Sequence, residues 1–163
     1  MESRDYRQNI SKIMAEAVQF CCKKEHLTEG DFCRTLQAGQ EKTHSRLRYA
    51  LAKGISSYLG SIDDNLVSVY VYGSTMADNA GFNSDIDLIV QVKSKYGRTQ
   101  RALQILDSYL MNSYQVMLGK EEFRMNCMLD VHIVDQDDIK QNREYGSIIS
   151  SLFIAPVKVW CRD

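Results

Sequence analysis

Gly73 and Ser74 end an apolar run, and ten residues later Asp85 and Asp87 flank a single isoleucine. Each half of this spacing has a chemical use. A glycine lets the backbone pass close to a ligand, and the following serine offers a hydroxyl and an N–H. If the chain turns there from a strand into a short helix, free N–H groups point outward and form an anion site. Two aspartates two residues apart on a strand share one face, with Cα atoms about 6.6 Å apart. Carboxylates so placed can converge on one or two hard divalent cations. Without a cation they repel, and one pKa rises. Asp130 has the parity of Met128 and His132, opposite Leu129, Val131 and Ile133. If its strand neighbours that of Asp85 and Asp87, it becomes a third acid at the same place.

The surrounding pattern supplies the elements to position these groups. Leu66–Tyr72 is β-branched and aromatic and predicts a buried strand. In 85–92, Ile86, Leu88, Val90 and Val92 fall on one face, and Asp85, Asp87, Ile89 and Gln91 on the other. The Asn-, Gly- and Asp-rich stretch 77–84 predicts a turn. Thr99 opens a helix carrying Leu103, Leu106, Leu110, Tyr114 and Met117, which Gly119 ends. Residues 127–134 read as a third strand. Asp137 is expected to cap a helix through Ile148, Ile149 and Leu152, and 157–160 reads as an edge strand after Pro156, the only proline.

The first third is helical. Tyr6, Ile10, Ile13, Met14, Ala17 and Cys21 form one stripe, Thr28 with Asp31 starts a short helix ending near Leu36, and Ala38–Gln40 is a break. A longer helix carries Leu47, Ala50, Leu51, Ile55, Tyr58 and Leu59, with Gly60 as its expected stop. The fold class expected is therefore α/β (α+β), a mixed sheet packed on helices. It divides into a helical extension over 1–62 and a chemistry-bearing domain over 63–163.

Composition narrows the function classes. With 163 residues, 44% hydrophobic and 25% charged, the chain reads as an ordinary globular protein. A net charge of -1 excludes a globally basic nucleic-acid coat. No apolar run approaches the ~20 residues of a membrane helix. The polar start, Met1 to Asp5, has no signal core. The five cysteines are odd in number and form no C-x-x-C pair. Both features point to a reducing cytoplasm. Cys22, His26 and Cys33 lack the regular four-ligand spacing of zinc and read as ordinary thiols and a histidine.

Gly73-Ser74, the ten-residue gap, Ser84-Asp85-Ile86-Asp87-Leu88-Ile89-Val90 and Leu129-Asp130-Val131 together resemble the DNA polymerase beta-like nucleotidyltransferase superfamily. The likeness is to its minimal nucleotidyltransferases and antibiotic adenylyltransferases, and it spans residues 66 to about 160. It implies a nucleotidyltransferase fold and the transfer of a nucleoside monophosphate, AMP from ATP foremost, with release of pyrophosphate. The acceptor would be an unidentified small molecule or protein. Asp85, Asp87 and Asp130 would be the catalytic and metal-holding carboxylates, for Mg²⁺ or Mn²⁺. Gly73 and Ser74 would bind phosphate. Two departures stand out. Thr75-Met76-Ala77-Asp78 lies where relatives often carry Arg and Gly, and the sequence stops at Asp163, where many relatives continue into a C-terminal helical domain. The N-terminal helices, or a helical partner protein, would have to substitute for it.

Other readings compete. The scaffold could serve as a non-catalytic binding module, as in an antitoxin-like pair; nucleotidyl addition to RNA or DNA is disfavoured by the net charge. His132 reads as a packed or hydrogen-bonded side chain. Asp135, Asp137 and Asp138 read as a solvated helix start, and Lys93, Lys95, Arg98 and Arg101 as a solvated face. Tyr70, Tyr72, Tyr109 and Tyr114 read as core aromatics.

Overall fold

The computed structural model describes residues 3–119, 125–151, 153 and 155–163. Three helices come first: α1 (Ser3–Glu25), α2 (Glu29–Gln37) and α3 (Glu41–Ile62). The apolar stripe of α1 is buried as its spacing predicts, with Ile10 1% exposed and Cys21 fully buried. Thr28 caps α2 by accepting from the Asp31 N–H, which satisfies one orphan donor of the first turn.

Four strands follow: β1 (Leu66–Val71), β2 (Ile86–Val92), β3 (Leu129–Val134) and β4 (Val157–Cys161). They form one mixed sheet in the order β3-β2-β1-β4. β1 pairs antiparallel with β2 and β4, and β2 pairs parallel with β3. A parallel neighbour needs a crossover, and α4 (Thr99–Leu118) provides it, ending at Gly119 in the left-handed conformation. β4 lies at an edge, as its sequence position suggests. This is the α+β architecture expected: a mixed sheet on helices with a helical N-terminal part. α3 and α4 pack on the sheet, and α1 packs on both helices. Tyr6, Leu36 and Leu59 share one buried cluster with Val69, Leu88 and Leu129, so the core runs unbroken from the N-terminal helices into the sheet. No helix among the described residues is long and apolar enough to cross a membrane.

Several expectations are corrected. Gly60 does not end α3, which continues to Ile62. Its role is space: a Cβ there would lie 2.1 Å from the Trp160 ring, so the glycine lets β4 close over the helix. The helix expected from Asp137 is two short ones, α5 (Gln136–Lys140) and α6 (Gly146–Ile149). Its cap is Asp135, whose carboxylate accepts from the Asp137 and Asp138 N–H groups while Asp138 reaches back to the Asp135 N–H. Asn142 and Glu144, both at positive φ, turn the chain between the two helices. Leu152 lies outside the described residues. Asp138 is not solvated; it is 8% exposed and paired with Lys95 Nζ at 2.5 Å. Tyr70 and Tyr72 are half-buried rather than core, whereas Tyr114 is fully buried.

Arg162, just past β4, ties this edge to the end of α3. Its Nη2 donates to the carbonyls of Gly60 (3.0 Å) and Asp63 (2.8 Å), and its Nε to that of Leu66 (3.0 Å). A guanidinium on the last carbonyls of a helix also meets the favourable end of its dipole. Replacing it (Arg162→Ala) should cost about 2 kcal/mol, the weight of losing charged donors to half-buried carbonyls. The check is a lower urea midpoint at unchanged m-value; an unaltered midpoint would show the latch to be idle.

Candidate active site

β2 places its residues by the period of two. Ile86, Leu88, Val90 and Val92 are buried in the core, and Asp87 and Gln91 face the other side, half-buried. The apolar half thus forces the acidic half outward. Asp85 lies just before the strand rather than in it. The parallel register sets Asp87 beside Asp130 and Ile89 beside His132. Neighbouring strands are about 4.8 Å apart, so two carboxylates meet at that spacing, with Asp85 one strand step away. The structure therefore brings the three predicted acids to one end of one sheet face.

The Gly73-Ser74 turn abuts them. Tyr72 N–H donates to the Asp87 carbonyl at 3.2 Å, and Gly73 follows with φ of +68°. A Cβ on Gly73 would lie 2.0 Å from Asp87 Oδ2. No other residue leaves the carboxylate that room, and the left-handed φ also favours glycine. Gly73 is exposed and Ser74 half-buried, so both can reach a ligand. The expected helix after them is only a 3₁₀ turn, Gly73–Thr75, closed by the Met76 N–H on the Gly73 carbonyl at 3.1 Å. It is too short for a helix dipole. Any phosphate grip must come from individual N–H and hydroxyl groups.

The charges are poorly compensated. Burial, then the neighbouring Asp85 and Asp130 carboxylates, push the Asp87 carboxyl up to about 6. Burial and the same three acids with Tyr145 drive the Tyr72 phenol upward. No ion pair among the described residues includes Asp85 or Asp87. Asp130 Oδ2 is 3.2 Å from His132 Nε2, and the His132 ring stacks on Tyr145 at 3.5 Å between centroids. His132 is thus a hydrogen-bonded, packed side chain, as expected from the sequence. Among the described residues no three His, Cys, Asp or Glu side chains are already gathered into a cage for a metal ion. The donor set still fits a hard divalent cation in kind: oxygen ligands from neighbouring segments, one of them a carboxyl raised by burial and by the acids beside it.

Three positioning groups escaped the sequence reading. Asp107, on α4, accepts from the Met128 and Leu129 N–H groups at 2.7 and 2.8 Å and so fixes the start of β3, just before Asp130. Tyr145 backs His132. Arg48 binds the loop before Asp85. Only Arg48 left a trace in the sequence, as a charged residue on the apolar stripe of Leu47, Leu51 and Ile55.

No family profile matches this chain, and no curated protein matches it. A solved structure is similar to it: a candidate nucleotidyltransferase from Sulfolobus solfataricus. The two are 21% identical, over 76% of this chain and 90% of that one, with a TM-score of 0.40. A likeness of that extent decides neither family nor activity, so function rests on the site itself.

The Asp87 shift has a definite pH signature. Its carboxyl holds a proton in the folded state up to about 6, against 3.8 unperturbed, so between those values the folded chain binds more protons than the unfolded one. Stability contributed by the protonated group is present at low pH and falls as pH rises through this window. In metal-free buffer, Asp87→Asn should therefore gain on wild type by about 1–2 kcal/mol between pH 4 and pH 7, allowing for solvent screening. Urea unfolding at both values checks this. A difference that does not change with pH would mean that Asp87 is not strained.

Proposed function

We propose that this chain is a metal-dependent nucleotidyltransferase that moves a nucleoside monophosphate, AMP from ATP, onto an acceptor and releases pyrophosphate. One observation carries the reading: Asp87 is at once the register neighbour of Asp130 and the contact neighbour of Gly73. Three carboxylates and an exposed Gly-Ser turn therefore occupy one place. Carboxylates crowded without cations are costly to a fold, and a triphosphate bound with Mg²⁺ or Mn²⁺ is a ligand that relieves the cost and uses the turn.

Asp85, Asp87 and Asp130 would hold the metal, which when bound supplies charge neutralisation to the triphosphate. The Gly73 N–H and the Ser74 N–H and hydroxyl would hold the β- and γ-phosphates. In the transfer, an acceptor hydroxyl oxygen bonds to the α-phosphorus as the bond to the bridging oxygen of pyrophosphate breaks. Asp130 lies at the open edge of this group with its side chain 42% exposed, where, if it does not complete the metal site, it would take the proton from that hydroxyl. The protein's contribution is then positioning and electrostatics. The acceptor would be a small molecule or a protein rather than nucleic acid, in keeping with the net charge of -1. A helical partner protein is a further candidate. All five cysteines are free thiols, which suits the cytoplasm.

ATP labelled at the α-phosphate, incubated with Mg²⁺ and a cell extract, should pass its label to an acceptor. Asp85→Asn should lower this at least ~100-fold, the upper end of the loss seen when even an outer-shell partner of a metal is removed. Equal labelling by wild type and Asp85→Asn would leave only a binding scaffold.

A further inference from the structure

Arg48 is fully buried, yet among the described residues no acid pairs with it. Burying a guanidinium is costly unless every donor is satisfied. Here all five are. Nε donates to the Ser84 carbonyl at 2.9 Å. Nη2 donates to the Phe82 carbonyl at 3.3 Å and to the Tyr114 hydroxyl at 3.1 Å. Nη1 meets His44 Nδ1 at 3.0 Å and the His44 carbonyl at 3.3 Å. His44 Nε2 lies 2.8 Å from the Leu36 carbonyl, so Nε2 carries the proton and Nδ1 accepts. The Tyr114 hydroxyl, 2.8 Å from the same Nδ1, completes the ring of contacts.

These bonds converge on one short segment. Ser84 immediately precedes Asp85, and Phe82 lies three residues before it. Ser45, also on α3, accepts from the Ala80 N–H at 3.0 Å, and the His44 ring meets Phe82 edge-on at 4.9 Å. The loop 80–84 is therefore held at three places by one turn of α3, with Tyr114 of α4 behind it. Its other end is the start of β2. Burial pushes the Arg48 guanidinium down from its usual range, and Tyr114 and then Asp85 partly offset this.

We infer that Arg48, braced by His44 and Tyr114, is a positioning residue that sets the height and direction of Asp85 and Asp87 by gripping the two carbonyls ahead of them. This rests on the nucleotidyltransferase reading and deepens it. It gives the N-terminal helices a part in the site: the loop that carries the first acid is aimed from α3. An ordinary structural arginine would stabilise the fold without altering how the acids meet a cation.

The test compares Arg48→Lys and Tyr114→Phe with Ile13→Ala, a core change between α1 and α3 that touches neither loop nor acids. Mn²⁺ is the probe, its free concentration read by electron paramagnetic resonance, with stability measured alongside. Lysine keeps the charge but has only three donors. Arg48→Lys should weaken Mn²⁺ binding about 10-fold or more, as loss of an orienting partner does. Tyr114→Phe should weaken it about 3- to 5-fold, the weight of one neutral hydrogen bond. Ile13→Ala should bind as wild type despite lower stability. Amide exchange over 80–87 should quicken in the first two variants and not in the third. Wild-type Mn²⁺ affinity in both Arg48→Lys and Tyr114→Phe would overturn the positioning role alone. A wild type that binds no Mn²⁺, or an Asp87→Asn variant that binds it equally well, would overturn the metal reading and this role with it.

Discussion

Like charges set side by side on a sheet are the constraint around which this molecule is arranged. Asp87 and Asp130 are register partners on parallel strands, and Asp85 is two residues from Asp87. Left free, they would separate by splaying the strands or by turning toward bulk water. The strands do not splay, because the backbone on either side of the acids is anchored. Ile86 and Leu88 sit in the core, at 0% and 1% exposure, and fix the parity of β2. Asp107 seizes the backbone at the start of β3. Burial, and then the two neighbouring carboxylates, raise the Asp87 carboxyl in consequence.

α3 does more than fill space beneath the sheet. Its first half grips the loop 80–84 through His44, Ser45 and Arg48. Its middle contributes Leu51 and Ile55 to the core. Its last carbonyls are taken by Arg162, while Gly60 makes room for Trp160. The same rod thus references the acidic loop at one end and the edge strand at the other. A packed helix is a better frame for carboxylates than a loop could be, because its position is over-determined by packing.

Much of this was readable in advance wherever it depended on neighbours in the chain. The alternation in 86–92, the spacing on α1, the Thr28 cap and the Gly119 stop are local patterns, and each is where its pattern put it. The failures are also local in kind. Asp137 looked like a cap, but Asp135 two residues earlier wins because its carboxylate reaches two N–H groups and Asp138 answers it. Gly60 looked like a terminator; its meaning depends on Trp160, a hundred residues away. Tyr70 and Tyr72 looked like core because their strand is apolar, and only strand order shows that their face carries the acids.

The amino-acid order alone settled which residues could bear the chemistry: a glycine–serine pair, two aspartates in phase on one strand and a third on another, each given by side-chain parity that needs no tertiary information. Folding decided which of them meet. The parallel pairing of β2 with β3 made Asp87 and Asp130 neighbours, and close packing against the 73–75 turn made Gly73 the residue that leaves Asp87 its space. The role of Arg48 belongs to that second category, although its place on an apolar stripe was visible in the sequence. Its partners are 34 to 66 residues away along the chain or across a helix turn, and no periodicity encodes a contact made through space.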